Sequence, residues 1–226
     1  MRHYVARLEG PTMVVSDIHC PLGRCGVARE VVRVAVARGA ATLAVLGDLF
    51  DDFRKLVTAD ELRRALAAAF GPLGGVRVVY VTSGSSHDPI LDRALRLQVG
   101  GSSFEVYPGG LVARVDGVTA FMTHGDAAMR NGAHAFLANA AMRLLGRGLF
   151  LERRLRERLR LPPHWWLFMG HTHIPGIDYR ARVANPGSWR EEWFRGLPYW
   201  RPPSRTYLWV ESGLVELREK HERFLR

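Results

Sequence analysis

Short apolar runs alternate with helix-like spacings through the first half of the chain. The runs predict strands at residues 12–16, 42–46 and 76–81, and the spacings predict helices at 27–38, 60–70 and 89–98. An alternation of strands and helices indicates a largely parallel sheet that helices cover. Ligands of such sheets gather at the carboxyl ends of the strands, so polar residues at those ends are the first candidates for a functional site.

The second half of the chain has a different pattern. Asp116-Gly117 lies between apolar runs at 111–115 and 118–122, which is a strong signal for a hairpin. A helical stretch follows from residue 127 to about 160, interrupted near Gly146 and Gly148, and a short strand is predicted at 165–169. The runs at 206–210 and 214–217 indicate a second hairpin. We therefore expect a second sheet that is mixed or antiparallel.

Length and composition are those of a globular protein with one sizeable core. The chain has 226 residues, of which 47% are hydrophobic and 24% charged, and we expect a single domain over residues 1–226. No apolar run reaches the ~18 residues that a membrane-spanning helix needs. The N-terminus lacks a secretory signal, so a cytoplasmic location is predicted. Cys20 and Cys25 are expected to be free thiols, with metal binding or a disulfide as alternatives.

The charge is strongly positive. The net charge is +10, and all but two of the 32 basic residues are arginine. Such an excess indicates an acidic partner, which could be a nucleic acid, a phosphorylated metabolite or an anionic membrane surface. An arginine-rich amino-acid usage without functional meaning is the alternative.

Histidine and aspartate cluster directly after five apolar runs. The blocks are Asp17-Ile18-His19, Gly47-Asp48-Leu49-Phe50-Asp51, His87-Asp88, His124-Gly125-Asp126 and Gly170-His171-Thr172-His173. Residues i and i+2 of an extended segment face the same side, so each Asp-x-His or His-x-His pair can bind one ion or divide between two. Imidazole and carboxylate together suit manganese, iron, zinc or cobalt better than magnesium or calcium. Two such ions ~3.5–4 Å apart can hold a phosphoryl group during in-line displacement.

These five blocks, in this order and followed by Asn185-Pro186-Gly187-Ser188, resemble the calcineurin-like metallophosphoesterase superfamily. The resemblance implies an α/β fold, a four-layer sandwich of two mixed β-sheets flanked by helices. It also implies a hydrolase with two divalent metal ions, manganese being expected, in which a metal-bound hydroxide attacks a phosphoester or diphosphate. The implied ligands are Asp17, His19 and His173 for the first ion, His124 and His171 for the second, and Asp48 as the bridge.

The block around His87 departs from the family pattern. The family has Gly-Asn-His-Asp, and this chain has Ser86 at the place of the asparagine that binds the second ion, so a weaker or more hydrated second site is implied. The resemblance implies that His87 contacts the phosphoryl group and assists the leaving oxygen. Asp88 would orient the imidazole of His87. Asp51 and Asp52 are expected to hold ligands or loops in place.

The surroundings of the core site must decide the substrate. Residues 127–162 are expected to form a helical cap, in which the segment 147–160 carries six arginines and two glutamates around a leucine stripe. A basic amphipathic helix of this kind fits an anionic lipid or peripheral contact with the inner membrane surface. Arg153, Arg154 and Arg156 are therefore the candidate substrate-binding residues. The alternative is a surface helix that packs through its leucines.

The insertion and the His-Gly-Asp block are similar to the UDP-2,3-diacylglucosamine pyrophosphatase branch, although His87 stands where that branch has arginine. This similarity implies a nucleotide-linked lipid or sugar diphosphate as substrate. A nuclease or phosphodiesterase of the same superfamily is one alternative, since its substrate backbone would attract the positive charge. A non-catalytic interaction module on the same fold is the other. Late aromatic residues either pack the C-terminal segment or line a base or acyl pocket; they are Trp189, Trp193, Phe194, Tyr199, Trp200, Tyr207 and Trp209.

Overall fold

The computed structural model describes residues 4–192 and 197–220. In chain order, the strands in these residues are β1 (Tyr4–Leu8), β2 (Thr12–Val15), β3 (Thr42–Leu46), β4 (Arg77–Thr82), β5 (Leu95–Val99), β6 (Ser102–Pro108), β7 (Gly110–Val115), β8 (Val118–Thr123), β9 (Trp166–Met169), β10 (Gly176–Asp178), β11 (Val183–Asn185), β12 (Thr206–Glu211) and β13 (Leu214–Glu219). The helices are α1 (Gly26–Ala37), α2 (Ala59–Phe70), α3 (Gly132–Leu144) and α4 (Phe150–Arg158). Among the described residues, no helix is long and apolar enough to cross a membrane.

Sheet I has seven strands in the order β13-β12-β2-β3-β4-β6-β5. The pairs between β2, β3, β4 and β6 are parallel, whereas β12 and β5 add antiparallel pairs at the two sides. The central strands β2 and β3 are buried at every position, because a helical layer covers one face and the second sheet covers the other. The parallel core brings the carboxyl ends of β2, β3 and β4 to the same edge.

Sheet II has six strands in the order β1-β7-β8-β9-β11-β10 and is mixed, as expected. Its predicted hairpin forms β7 and β8, which pair antiparallel. Asp116 and Gly117 connect them with φ values of 39° and 88°, the positive values that a tight hairpin turn requires. Strand β9 lies beside β8 in parallel, so the loops after these two strands also end at one edge.

Three apolar clusters define the layers. One cluster joins α1 and α2 to sheet I, a second fills the space between the sheets, and a third joins sheet II to α3 and α4. Leu151 and Leu155 of α4 are buried in the third cluster, so this helix packs through its leucines. The order helices, sheet I, sheet II, helices confirms the expected four-layer α/β sandwich.

The predicted helix at 89–98 is wrong. Its second half forms β5, which pairs antiparallel with β6 at the edge of sheet I, and the side chains of Leu95 to Val99 alternate in exposure as an edge strand requires. Strand β6, which supplies the hydrogen bonds of β5, was not predicted, and neither were β1, β10 and β11. The last two have three residues each, too few for a periodicity to be visible.

Cys20 and Cys25 form a disulfide, so the expectation of free thiols is wrong. Both residues are buried, and their Cα atoms are 5.5 Å apart, a spacing that a disulfide can bridge. The bond closes the loop that directly follows His19. The two cysteines consequently give no support to the predicted cytoplasmic location, because disulfides are rare in reducing compartments.

Candidate active site

The loops that follow β2, β3, β8 and β9 carry the predicted metal ligands to one edge of the sandwich. All these aspartates and histidines except His124 have a left-handed backbone; the φ values are 53° at Asp17, 55° at His19, 46° at Asp48, 66° at His171 and 56° at His173. A non-glycine residue in this conformation costs of order 1–3 kcal/mol, and such strain concentrates at functional sites. The cluster of strained, positive-φ residues therefore identifies this edge of the sandwich as the candidate site.

Asp17, His19 and His173 form the first group of side chains that could hold a metal ion. Asp17 Oδ2 accepts the backbone N–H of His171 at 2.9 Å, and Asp17 Oδ1 lies 3.0 Å from His173 Nε2. His19 Nδ1 lies 3.2 Å from Asp51 Oδ1, and the buried Nε2 of His19 has no hydrogen-bond partner among the described residues. In Asp17 and His19, one polar side-chain atom is therefore held by a neighbouring residue, and the other is available to a metal ion.

Asp48, His124 and His171 form the second group. His124 Nδ1 donates to the carbonyl of Leu46 at 3.0 Å, and His171 Nε2 donates to the carbonyl of Met129 at 2.6 Å. A carbonyl can only accept, so each neutral ring carries its hydrogen on that nitrogen. The lone pairs of His124 Nε2 and His171 Nδ1 consequently face each other at 2.9 Å. They repel unless a proton or a metal ion lies between them.

Asp48 lies between the two groups. Its Oδ2 is 3.3 Å from His124 Nε2, 3.7 Å from His19 Nε2 and 4.0 Å from His87 Nε2. His19, Asp48 and His87 also form a third group with the spacing of metal ligands. This central carboxylate is therefore in the place that a bridging ligand would take.

The pKa values indicate that the pocket favours positive charge. Burial opposes ionisation of Asp48, but the charge of His124 holds the pKa of Asp48 well below its ordinary value. Burial also disfavours a charged His124, yet the carboxylate of Asp48 raises the pKa of His124 well above its ordinary value. Burial lowers the pKa of His19 to about 4, so this imidazole is neutral at pH 7. A divalent cation would replace the proton that the pocket favours, so these residues fit a metal centre.

His87 lies at the partly exposed side of the centre. Its Nδ1 donates to the backbone carbonyl of Asp51 at 2.6 Å, so the neutral ring turns the lone pair of Nε2 toward Asp48. The side chain of Asp51 contacts His19 and also accepts a hydrogen bond from Arg190 at 2.9 Å. Asp51 thus holds two imidazoles, one through its carboxylate and one through its backbone, as expected for a residue that positions ligands.

Asp88 has a different role from the one predicted. Its buried carboxylate accepts the backbone N–H groups of Asp48 at 2.8 Å, Leu49 at 3.0 Å and Ser83 at 2.8 Å. Burial and then the negative charge of Asp48 raise the pKa of Asp88 to about 6. The prediction that Asp88 orients the imidazole of His87 is therefore wrong, because Asp88 instead fixes the loop that carries Asp48.

Comparison with known proteins decides the family. Residues 12–200 match the family described as the calcineurin-like phosphoesterase superfamily domain. The chain belongs to this superfamily. Membership confirms the fold class and supports hydrolase activity, and the clustered aspartates and histidines could hold the divalent metals that are typical of the superfamily.

Several solved structures resemble this superfamily member at low sequence identity. The phosphoesterase Yfce from E. coli is 18% identical with a TM-score of 0.47, covering 93% of each chain. A conserved uncharacterised protein from Streptococcus pneumoniae TIGR4 is 16% identical with a TM-score of 0.44, covering 92% of this chain and 87% of that one. Vacuolar Protein Sorting 29 from Cryptosporidium parvum is 14% identical with a TM-score of 0.45, covering 92% and 95%. No curated protein matches the chain.

Two serines lie where the superfamily pattern has its asparagine block. Ser86, at the place of the asparagine, is exposed and lines the cleft over the centre. The hydroxyl of Ser85 donates to Asp48 Oδ1 at 2.7 Å and accepts the backbone N–H of His87 at 3.1 Å. Ser85 is therefore the serine that contacts the ligand set. The sequence did not indicate it, because the motif points one residue further along.

An open cleft of about 740 Å³ lies over the centre of this superfamily member, and Arg54, Arg130 and Arg190 line it. Arg54 donates to the backbone carbonyl of Gly84 at 2.7 Å, which holds its guanidinium beside the loop of Ser85. These three arginines add positive charge to the cleft beside the metal-ligand groups. No motif in the sequence indicated them, since each lies outside the recognised blocks.

The predicted substrate-binding arginines lie elsewhere, in α4 on the outer layer. Arg153 pairs with Asp178 at 2.7 Å, and Arg154 stacks over an aromatic ring of the same helix. Arg156 donates to the carbonyls of Pro162 at 2.8 Å and Trp165 at 3.0 Å, and these hydrogen bonds hold the loop after α4 against the helix. None of these three arginines lines the cleft over the centre, where the residues of 127–162 belong to the start of α3 and the loop before it, so their role in substrate binding stays a prediction.

The late aromatic residues divide between core and cleft. Trp189, Tyr207 and Trp209 are buried in the cluster beside sheet I, which confirms the packing interpretation for them. Tyr199 and Trp200 line the cleft instead, so a role beside the substrate stays a prediction for these two. Trp193 and Phe194 lie outside the described residues.

Glu152 of α4 is a fully buried carboxylate that no motif indicates. Its Oε2 accepts a hydrogen bond from Asn139 Nδ2 of α3 at 2.8 Å. Its Oε1 accepts hydrogen bonds from Thr172 Oγ1 and Asn185 Nδ2, both at 2.9 Å. Because Thr172 stands between the ligands His171 and His173, this network connects both helices of the outer layer to the loop of the metal centre.

Proposed function

We propose that this chain is a binuclear metal-dependent phosphoesterase that hydrolyses a phosphoester or diphosphate. The observation that carries the proposal is the 2.9 Å distance between His124 Nε2 and His171 Nδ1, the ring nitrogens that no backbone carbonyl engages. Ligand atoms of one metal ion lie about this far apart, at bond lengths of ~2.0–2.1 Å for imidazole nitrogen. Asp17, His19 and His173 would hold one ion, His124 and His171 would hold the other, and Asp48 would contact both.

Metal ions bound there would activate a water molecule and neutralise the phosphoryl oxygens, and manganese, iron, zinc or cobalt suits this donor set. The chain itself supplies the orientation. The carbonyls of Leu46 and Met129 fix the two imidazoles of the second group, and the hydroxyl of Ser85 fixes one oxygen of Asp48. Little rearrangement is then needed when ligands bind, which is how preorganised sites gain affinity and rate.

His87 is proposed to give a proton to the leaving oxygen. The hydrogen bond from its Nδ1 to the carbonyl of Asp51 occupies that nitrogen, so only Nε2 can carry the transferred proton. Nε2 lies 4.0 Å from Asp48 Oδ2, so it faces the centre where the phosphoryl group would bind. The ring is partly exposed on the cleft, where a substrate can reach it.

A nucleotide-linked lipid or sugar diphosphate is the proposed substrate class. Arg54, Arg130 and Arg190 supply cations for a second phosphoryl group, and Tyr199 and Trp200 supply flat faces for a base or sugar. The similarity of the His-Gly-Asp block to the UDP-2,3-diacylglucosamine pyrophosphatase branch supports this class. His87 stands where that branch has arginine, and Ser86 stands where the superfamily has asparagine. We therefore propose a related substrate and not the same one.

A nuclease is the second candidate, favoured by the net charge of +10. The cleft volume of about 740 Å³ is in the range of small-molecule sites, and we therefore propose the nuclease only as the second candidate. Hydrolysis of UDP-linked sugars and lipids is to be compared with cleavage of single-stranded and double-stranded DNA by the same preparation. Faster turnover of either DNA than of any diphosphate would reverse this order.

The test of the proposed function is manganese-stimulated hydrolysis of an aryl phosphodiester. We expect Asp48→Asn to lower turnover at least ~100-fold, because a ligand shared by two ions is lost. Asp60→Asn, which changes an exposed carboxylate of α2, is the matched control and should leave turnover unchanged. Full turnover of Asp48→Asn would contradict the assignment. A chain that binds fewer than two metals and hydrolyses no phosphoester would instead be an interaction module.

A further inference from the structure

Helix α3 is largely apolar but buried on only one side, and its polar residues are Asn139 on the buried side, the exposed His134 on the opposite side, and Arg143. Of its residues, Ala135 and Asn139 are buried, whereas Leu137 is 61% exposed and Leu144 is 89% exposed. Leu145, the residue that ends the helix, is 72% exposed. A helix with apolar residues all round normally lies inside a protein or against an apolar phase. The second face of α3 therefore lacks the environment that its composition suits.

The exposed residues lie together on one face. Leu137, Ala141 and Leu144 are spaced four and three residues apart, so they align on the side of the helix opposite Ala135 and Asn139. Leu145 extends this side at the C-terminal end. We define the outer face of α3 as Ala133, Leu137, Ala141, Leu144 and Leu145.

The charged residues of the segment that carries the outer face of α3 are all positive. Residues 127–151 contain no aspartate or glutamate, and their arginines are Arg130, Arg143 and Arg147. Arg201 adds a further cation at this helix, 4.5 Å from the ring of Phe136. An apolar helix face bordered by arginines matches an anionic lipid surface, in which leucines enter the acyl region and guanidiniums contact the headgroups. A second copy of this chain would set arginine against arginine, which disfavours a dimer through this face.

The outer face of α3 begins at the cleft. Asn131, Gly132 and Ala133, at the start of the helix, line the cleft over the metal centre, and so does Trp200. Trp200 packs against Phe136 of α3, with the ring centroids 5.3 Å apart. A lipid surface bound to the outer face of α3 would consequently lie next to the opening of the cleft, through which a substrate enters.

We propose that the outer face of α3 docks this protein onto anionic lipid bilayers. The proposal places the membrane contact on α3 and not on α4, whose leucines are used in the core. It rests on the proposed function only in that docking would bring the cleft to a lipid-linked phosphate. Vesicle binding needs no catalysis, so the two proposals can fail separately.

The test is cosedimentation of the full chain with vesicles of phosphatidylglycerol and phosphatidylcholine, compared with vesicles of phosphatidylcholine alone. We expect binding to the anionic vesicles, and a loss of roughly tenfold or more in affinity for Leu144→Gln/Leu145→Gln, because two leucine side chains no longer enter the apolar phase. Leu214→Gln changes a leucine of β13 that is 63% exposed, and this matched control should bind like the unmodified chain. Hydrolysis of a soluble aryl phosphodiester should be equal in all three proteins.

Three results would overturn the proposal. The first is equal binding to neutral and anionic vesicles, which would remove the role of the arginines. The second is full vesicle binding by Leu144→Gln/Leu145→Gln. The third is a concentration-dependent dimer, seen by light scattering, that the same double substitution dissolves, because the face would then be an interface between copies of the chain.

Discussion

At the metal centre, hydrogen bonds divide several ligand side chains into a held atom and a presented atom. Asp17, His19, His124 and His171 each have one polar atom engaged by a neighbouring group, and the other atom faces the shared pocket. These bonds fix ring flips and tautomers before any ion binds, so binding requires little loss of side-chain freedom. The backbone of the same loops is also held in one conformation, with positive φ values at Asp17, His19 and His171, before any ion binds.

Ser85 and Ser86 allow this arrangement to be tested with two adjacent and isosteric changes. Ser85→Ala removes the hydroxyl that donates to Asp48, and we expect metal affinity to fall by roughly 10–100-fold. Ser86→Ala changes an exposed serine of the same loop and serves as the control. Titration of the metal-free protein with manganese measures both. A larger loss for Ser86→Ala than for Ser85→Ala would show that the superfamily position, and not the hydrogen bond to Asp48, decides the affinity.

His87→Ala separates catalysis from metal binding. Because Asp48 and the other ligands remain, we expect metal content by elemental analysis to persist while turnover of an aryl phosphodiester falls by about 10²–10⁴-fold, the range for loss of a general acid. The loss should shrink for substrates whose leaving group needs no proton. His164→Ala, on an exposed loop outside the cleft, is the control. Unchanged turnover of His87→Ala would remove its proposed role, and loss of metal would reassign it as a ligand.

At the scale of elements, the position of the metal loop depends on contacts from both sides of the sandwich. The loop after β9 lies against the loop after β2 so closely that a Cβ at Gly170 would overlap the side chains of Ser16 and Asp17, with 2.6 Å to Asp17 Oδ2. On its other side, Thr172 is held by Glu152 of α4. The outer helices therefore contribute to the centre through a buried carboxylate, although α4 does not line the cleft.

Glu152→Gln tests this connection through stability. Asn139 and Asn185 turn fixed N–H donors toward Glu152, because their oxygens accept the backbone N–H groups of Leu151 and Gly187. A glutamine must place its own N–H group against one of these donors, so we expect the unfolding free energy to fall by about 1–3 kcal/mol. Glu157→Gln, an exposed change in the same helix, should alter it little. Equal stability of all three proteins in urea would contradict the network.

The pH dependence of the same comparison has a defined sign. Burial raises the pKa of Glu152 in the folded state. A raised carboxyl pKa means that the folded state binds the proton more tightly than the unfolded state, so this stabilisation is complete below the ordinary pKa and is lost as pH rises through the folded pKa. The advantage of the metal-free unmodified chain over Glu152→Gln should therefore decrease from about pH 4 toward neutral pH. An advantage that grows over this range would contradict the raised pKa.

At the scale of the whole molecule, the sequence predicted the features that show as a local pattern, namely periodic strands, a turn motif and clustered ligand residues. The buried runs of β2, β3 and β4 and the hairpin at Asp116-Gly117 were visible because periodicity and turn chemistry are local. The ligand blocks were visible because each follows a strand. Edge strands such as β5, and partners such as Ser85, Arg190 and Glu152, were not, because only the folded chain decides which residues lie beside them.

Metal removal should weaken the whole fold, because both groups of ligands join loops of sheet I to loops of sheet II. A chelator leaves the buried carboxylates and imidazoles of this centre without their cation. Ions present at ~100 times their dissociation constant stabilise a fold by about 2.7 kcal/mol per site, which for a chain of this length corresponds to about 5–10 °C in Tm for each site. Chelation of both ions should therefore lower Tm by roughly 10–20 °C. The fall should be larger at pH 8 than at pH 6, because the raised pKa of His124 makes protons compete with metal at the lower pH.

Asp48→Asn should respond less to the chelator than the unmodified chain, since both sites lose a ligand. Equal Tm values with and without chelator, for a preparation that contains two metals per chain, would contradict a centre that holds the two sheets together.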